Sequence, residues 1–473
     1  MNLDAIWSPL IKPSKAISEQ ANKDYLITMK ENFRRFQKNP KAYIDEISNS
    51  EQQLFTDTIM SLSLPRRKRF NGLVPIGLEI GLFNATPRLH GAIYEELCDQ
   101  EKSLANLCQE VAYHPETQEF VSRVTSDMPL ISSNLGVLSH AFFHSRFELL
   151  GSPIFSLDDS LYRELCLTDI GKQTPCEFMR MPAPNFYLEF GKARLLDNPR
   201  CYNEESGWHV LEGAYLNQYI LSEQEMESEC INPEIDLANI KKERNKFNII
   251  SHALATGHIK RGGGDVDVIE IMTTGSPLGK SGLCDDATHQ FILLIQDREM
   301  DVEALIDWHI KFNNRELSTQ RNLQHQVVDK DLPLRHKHRL GAEEEQTIRD
   351  AVIAIAKALL YINSETCSMT NVNEATEHKA TLRRTKNKAK LRKLEKRGKL
   401  LSDHILLTVP KDANDITSQG EKKAGGKATH WRRAHFHPFR YGEGRKKVRI
   451  KWIPRTLINA KKGLAKPQVY DVK

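Results

Sequence analysis

Between His430 and Lys451 the chain places three histidines, eight Lys or Arg and a single Glu within 22 residues. Such a set has two uses. Metal-independent cleavage of RNA needs a general base, a general acid and a cation beside the phosphate. His430, His435, Arg432 and Arg433 are the candidates for those roles. Holding a phosphate backbone needs only cations, and binds with an affinity that falls as salt rises. Arg432, Arg433, His437, Arg440, Tyr441, Arg445, Lys446, Lys447, Arg449 and Lys451 fit that use, joined upstream by Arg383, Arg384, Arg392 and Lys393. The residues leave both chemistries open, and the composition suits binding better than catalysis. Trp431, Phe436, Phe439, Tyr441 and Trp452 can stack on bases or fill a small core. A module this short needs core aromatics, so at least two of the five are expected to be structural.

Other sites fall short of their motifs. In GSPLGKSG (275–282) three residues separate Gly275 from Gly279, where a phosphate loop needs four, and a strand rather than a helix follows. A Gly/Pro loop is expected there, and GGG at 262–264 matches no dinucleotide fingerprint. His140 and His144 share a helix face at i,i+4, but HAFFH lacks the intervening Glu of a zinc protease. They read as satisfied histidines. Asp265 and Asp267 in GGGDVDV read as one strand face, with no third acid or lysine at nuclease spacing. The cluster Pro65-Arg-Arg-Lys-Arg69 reads as a solvated surface turn. No cofactor or metal is expected.

Those residues must be positioned by a chain of 473 residues whose net charge of +5 hides a split. Residues 379–473 carry 28 Lys and Arg against 7 Asp and Glu, a net of +21; residues 1–378 carry 39 against 55, a net of −16. An acidic body joined to a basic tail points to a polyanionic partner. With 40% hydrophobic residues the body can bury cores, and no apolar run is long enough for a membrane span. The N-terminus lacks the basic and apolar pattern of a secretory signal. Eight scattered cysteines without a CxxC pair fit reduced thiols.

The expected fold is α+β. Residues 1–165 read as mainly helical, including YLITMKENFRRFQ with Leu26, Met29, Phe33 and Phe36 on one face, EQQLFTDTIMSLSL ending at Pro65, a long helix from His90 to Tyr113, and a buried stripe of Leu135, Leu138, Phe142 and Leu149. Residues 166–376 read as an α/β domain suited to protein or peptide recognition. Its strands are NFYLEF (185–190), GWHVLEGAYL (207–216), VDVIEIMTT (266–274) and HQFILLIQD (289–297). The acidic stretch 222–236 reads as a polar connection into a helix near 237–256. Core helices are expected from Asp301 and over AEEEQTIRDAVIAIAKALLYINSE (342–365), the second carrying Ile348, Val352, Ile355 and Leu359 on one stripe. Residues 377–426 read as a basic connector, helical over 379–401 and flexible over GEKKAGGKAT. Residues 427–473 read as a basic aromatic β-hairpin turning at YGEG (441–444).

HWRRAHFHPFRYGEGRKKVRIKWIPRTLIN resembles the C-terminal signature of a family of phage and plasmid proteins that includes a type V-A anti-CRISPR. The signature falls on His430, Arg432, Arg433, His435, Gly442, Gly444, Arg449, Trp452, Pro454 and Asn459, with Ala434 where the family usually has Gly. TPCEFMRMPAPNFYLEFG (174–191) is similar to a Leu-Pro segment that leads into an aromatic strand in that family. The resemblance implies an inhibitor encoded by a mobile element in a bacterial cytoplasm. Its body would recognise a protein or nascent peptide, that of a type V-A CRISPR effector, and its basic C-terminal module RNA or the ribosome, lowering expression of the target. A metal-independent ribonuclease remains the alternative, and a DNA-binding regulator with helix 379–401 in a major groove is a third. No helix-turn-helix or zipper pattern accompanies that helix.

Overall fold

The computed structural model describes residues 27, 31, 34, 35, 38, 39, 42, 63–66, 93, 95–107, 136–171, 174–190, 200–203, 207–230, 249–277, 290–313, 342–398, 401–410 and 430–458. Helix α1 (Gly136–Leu149) leads into strand β1 (Ile154–Leu157), α2 (Asp159–Cys166) and β2 (Asn185–Glu189). β3 (Arg200–Asn203), β4 (Gly207–Leu221), α3 (Glu223–Cys230), α4 (Ile249–Thr256), β5 (Val266–Pro277), β6 (Gln290–Ile295), α5 (Val302–Asn313) and α6 (Ala342–Ile362) follow. Then come β7 (Ser368–Val372), α7 (Glu374–Arg384), α8 (Lys388–Gly398) and β8 (His404–Thr408). The strands form one mixed sheet in the order β6-β5-β4-β2-β1-β8-β7, with β3 on β4. β1 pairs in parallel with β2 and β8; the other pairs are antiparallel. The fold is α+β, as the sequence implies.

The four strands expected from β-branched and aromatic runs are β2, β4, β5 and β6. β1 falls in the stretch expected to be helical, and β8 in the basic connector. Both corrections have one cause. These strands are four and five residues long, and β1 is buried along its whole length, so neither shows an alternating face. The acidic stretch after β4 is helical at once: Ser222 and Glu225 cap each other's backbone and side-chain groups, an S-x-x-E box that opens α3. The helix expected over 90–113 breaks at residues 99–103. Leu26, Met29, Phe33 and Phe36 lie outside the described residues, as do Leu135 and the loop beyond Pro277. At the bulge between Leu211 and Gly213, a Cβ on Gly213 would stand 2.4 Å from the Leu188 carbonyl, so only glycine permits β2 and β4 to close there.

The sheet's two faces differ in kind. One presents Phe155, Phe186, Leu188, Leu216, Ile269, Ile271 and Leu293 to α2, α5 and α6 in a continuous apolar core. The expected stripe of α6 lies within it. The other face carries Tyr187, Tyr215, Glu189, Asn217 and Glu270, all buried, with α1 packed against β2, β4 and β5. His144 in α1 meets Tyr215 Oη at 2.8 Å, a satisfied core histidine. Arg66 corrects the reading of its cluster as a surface turn. It is 3% exposed and pairs with Glu189 at 2.9 Å. Burial opposes ionisation of Glu189, but Arg66 and the Ser156 hydroxyl more than offset it and hold the carboxyl below its usual range. Asp267 is likewise engaged by Arg298, whose Nε and terminal nitrogen both donate to Oδ2.

At the β6 edge two histidines replace a missing strand. The Leu294 N–H donates to His309 Nε2 at 3.1 Å, and His258 Nε2 meets the Leu294 carbonyl at 3.0 Å. Trp308 stacks on His258 with ring centroids 4.0 Å apart. His309 must stay neutral to accept, and burial holds its pKa well below the ordinary value; burial also lowers that of His258. Because both folded pKa values lie below the unfolded one near 6.5, the unfolded chain takes up protons first as pH falls. Stability is therefore complete above that pH and declines below it, by up to about 1.4 kcal/mol per pH unit for each neutral histidine. Denaturation midpoints between pH 8 and 5 should show that decline, with a shallower slope in His309→Gln. Equal slopes in the two proteins would refute it.

Candidate nucleic-acid interface

The C-terminal segment is two strand pairs rather than one long hairpin. β9 (His430–Arg432) pairs with β12 (Thr456–Ile458), and β10 (His435–Tyr441) with β11 (Lys447–Ile453). The expected first strand breaks at Arg433 and Ala434, where the chain turns onto the body. The Ala434 carbonyl accepts from Asp169 N–H at 2.9 Å, and Phe436 N–H donates to the Asp169 carbonyl at 3.2 Å. On the other arm Glu365 N–H donates to the Ile450 carbonyl at 3.0 Å. Thr366 Oγ1 exchanges hydrogen bonds with both backbone groups of Trp452. The Gly442 and Gly444 backbones at φ 80° and 64° form the connecting turn, a conformation that favours glycine.

The β10–β11 register separates structural from accessible side chains. Phe436 lies opposite Trp452, Pro438 opposite Ile450 and Arg440 opposite Val448. This face docks: Ala434, Phe436, Ile450 and Trp452 belong to the main core, and the Trp452 indole N–H donates to Thr168 Oγ1 at 3.1 Å. Phe436 and Trp452 are thus the expected structural aromatics. Arg440 shares the docked side of the register, and its charge reaches Glu177 in the body. The outward face sets His437 opposite Lys451, Phe439 opposite Arg449 and Tyr441 opposite Lys447. Arg449 lies 4.0 Å above the Tyr441 ring and forms an ion pair with Glu365. Arg445 and Lys446 stand exposed at the turn.

His435 does not present a free ring. Its Nε2 accepts from the Arg432 guanidinium at 3.1 Å and its Nδ1 meets the Arg433 carbonyl at 3.1 Å. A general base needs an open lone pair, and this one is occupied within its own turn. For His430 and Trp431 the described feature is the backbone pairing with Ile458 and Leu457.

The second basic element corrects the single helix expected over 379–401. α7 and α8 pack together as a helical hairpin inserted between β7 and β8. Asn387 divides them: its side chain accepts from the Ala389 and Lys390 N–H groups at 3.0 and 3.1 Å and so opens α8. At the foot, Asp403 accepts from the Ala375 and Thr376 N–H groups and caps α7 from the far end of the arm. Gly398 lets α8 approach His378, which contacts the Leu394 carbonyl at 2.8 Å. A cleft of about 470 Å³ lies between the two helices and residues 401–403. Residues 374–398 hold ten Lys or Arg and three Glu. α7 buries no residue, and Arg383, Arg384, Arg392 and Lys393 are all exposed. No described helix of the chain is long and apolar enough to cross a membrane.

Comparison with known families decides what this arrangement belongs to. The model of the AcrVA2-like family, described as the anti-CRISPR type V subtype A2 family, matches residues 155–460, from β1 to just past β12. The chain belongs to the AcrVA2-like family. A crystal structure of AcrVA2 aligns with 79% of this chain and 98% of that one, at 11% identity and a TM-score of 0.33. A comparison with curated proteins finds no match.

In this AcrVA2-like protein the cations expected from the sequence fall mainly into two groups, the helical arm and the outer hairpin face, with Arg440 on the docked side of the register and Arg432 and Arg433 at the break before β10. Four anchoring residues of the hairpin carried no local signal: Thr168, Asp169, Glu365 and Thr366. Only Glu365 stands out chemically, and its partner Arg449 lies 84 residues away. Among the described residues Cys98, Cys166, Cys176 and Cys367 form no disulfide.

Proposed function

We propose that this AcrVA2-like chain inhibits a type V-A CRISPR system by engaging a protein of the effector, in the form of its nascent N-terminal peptide. On this reading it holds RNA or the ribosome with its basic C-terminal part, and so lowers production of the effector. Membership of the anti-CRISPR family carries the inhibitory part. The RNA part is supported by the exposed cations of the arm and hairpin, which have few acidic neighbours. Binding rather than cleavage is favoured by the occupied ring nitrogens of His435. In cells carrying a type V-A effector and a guide against a plasmid, expression of the chain should restore plasmid survival. Unchanged plasmid loss across several effectors, with the chain folded and present, would refute inhibition.

The RNA part has its own measurement. The purified chain should bind single-stranded RNA with an affinity that falls steeply with salt. Replacing Arg383, Arg384, Arg392 and Lys393 together by Ala should flatten the log–log salt slope by about 3, roughly 0.7 per lost phosphate contact. A slope that does not change would remove the arm from the interface.

A further inference from the structure

We propose that the outer face of the β10–β11 pair is a stacking platform for unpaired nucleic-acid bases, with Phe439 and the Arg449 guanidinium as its two planes and Glu365 as the residue that positions the second. This rests on the nucleic-acid reading above and specifies which form of the ligand the hairpin takes.

The register carries the first half of the argument. On the outward face three rings of β10 each have a cation directly across on β11: His437 faces Lys451, Phe439 faces Arg449 and Tyr441 faces Lys447, while His435 faces Ile453. Phe436 and Trp452 already fill the core from the other face, and Phe439 and Tyr441 lie outside that core, partly buried and partly accessible. Their ring centroids are 6.3 Å apart and tilted by 49°, so they do not stack on each other. Directly opposite side chains on neighbouring strands, as Phe439 and Arg449 are, stand about 5 Å apart, wider than the roughly 3.4 Å base spacing of a duplex strand. The two planes therefore suit bases drawn out of a duplex stack. Base stacking on side-chain rings is tolerant of sequence, and adjacent Lys and Arg meet the phosphates.

Arg449 carries the second half. An arginine that served only as a phosphate contact would gain nothing from a nearby carboxylate, which repels the ligand. Here the guanidinium is held by the Tyr441 ring, 4.0 Å from its centroid, and through one terminal nitrogen by the Glu365 carboxylate, while the side chain stays exposed. A guanidinium held over one aromatic ring has a second face to offer as a plane, and arginine stacks on bases in that way where lysine does not. Glu365 is itself fixed, since its N–H donates to the Ile450 carbonyl next to Arg449. Duplex ends aside, a paired base has no free face for either plane.

The test compares the full-length chain and three variants by fluorescence anisotropy on four probes: a 12-nucleotide RNA of mixed sequence, the DNA of the same sequence, and the duplex of each. The wild type is expected to prefer the single strands. Phe439→Leu keeps the apolar volume and Arg449→Lys keeps the charge; each should weaken single-strand binding about tenfold, leave duplex binding unchanged and leave the salt slope of Arg449→Lys unaltered. Glu365→Gln separates the two roles of the carboxylate. Removal of a negative charge would tighten binding if electrostatics alone mattered, and is expected to weaken it here. The proposal is overturned if the variants bind single strands as well as the wild type, or lose single strand and duplex alike, or if Glu365→Gln tightens binding. A wild type that binds no probe at low salt overturns the nucleic-acid reading as well. DNA bound as tightly as RNA leaves the platform standing and removes the restriction to RNA. Unchanged thermal midpoints establish that the variants are folded, as expected for positions outside the buried core.

Discussion

Replacing Arg146 with methionine is expected to lower the unfolding free energy by about 3–5 kcal/mol, the cost of breaking a buried charged network at one member. Arg146 is fully buried in α1, beneath the sheet's polar face. Its guanidinium donates to the Glu96 carbonyl at 2.8 Å, the Leu97 carbonyl at 3.2 Å, the Lys102 carbonyl at 2.6 Å and Asn217 Oδ1 at 3.2 Å. The Glu96 and Leu97 carbonyls lie where the helical turn of residues 95–98 ends, and the Lys102 carbonyl lies at the far side of the break that follows. Asn217 passes the contact on, donating to Glu270 at 2.8 Å. Glu270 completes the clamp from β5. It accepts from Ser103 Oγ at 2.6 Å and from the Leu104 and Ala105 N–H groups at 3.0 Å, and thereby starts the next helical turn. One cation and one carboxylate thus bind the two ends of the break at residues 99–103. Burial pulls the Arg146 pKa down, and Glu270 opposes the shift most strongly. Methionine matches the volume but removes a donor from each of the three carbonyls, of which Glu96 still accepts from Asp99 N–H at 3.3 Å. Lysine is expected to recover little, because a single ammonium cannot reach acceptors spread around a planar fork. Urea denaturation monitored by circular dichroism measures the loss. A variant within about 0.5 kcal/mol of the wild type would mean that water replaces the guanidinium, and that the clamp is incidental.

Replacing Trp452 with alanine should cost about 3–5 kcal/mol and loosen the hairpin from the body. The indole is fully buried in the main core, stands edge-on to Tyr361 at 5.3 Å between centroids, and donates to Thr168. Its loss opens a cavity where α6, the residue 168 loop and β10 meet. The backbone bonds to Asp169, Glu365 and Thr366 remain, so the hairpin is expected to stay paired within itself and to dock less firmly. Limited proteolysis should then cut within residues 430–458 far faster than in the wild type, alongside a lower denaturation midpoint. Thr168→Val keeps the shape but strands the indole N–H and removes the hydroxyl's 2.6 Å bond to the Glu164 carbonyl, at a cost of about 1–3 kcal/mol. Proteolysis unchanged by Trp452→Ala would place the hairpin's stability in its backbone bonds alone.

Much of the fold was legible because the signals were local. β2, β4, β5 and β6 carry β-branched and aromatic runs between Gly and Pro. α6 carries its apolar stripe at helical spacing, and Asp301 caps α5 through the Glu303 N–H. The short strands β1 and β8 were not legible, because a strand of four or five residues in mid-sheet has no polar side to alternate with. The connection into α3 was misread although its S-x-x-E box stood in plain view. For the candidate interface, the outward and inward faces of β11 followed from alternation. The break at Ala434 did not, because the chain turns there to meet a backbone 265 residues earlier, at Asp169.

The chain's chemistry by residue type was therefore a property of the sequence: an acidic body, a basic end, and histidines, arginines and aromatics gathered near residues 430–452. Local spacing also determined most helices and strands, since periodicity acts over a few residues. Tertiary structure alone decided which of those residues are used up. Arg66 looked like a surface cation and is half of a buried ion pair, because Glu189 waits 123 residues on. Phe436 and Trp452 became core while Phe439 and Tyr441 stayed accessible, because one face of a two-stranded pair was needed to cover the body. Burial and pairing depend on what packs opposite, and nothing in a single stretch of chain records its distant neighbour.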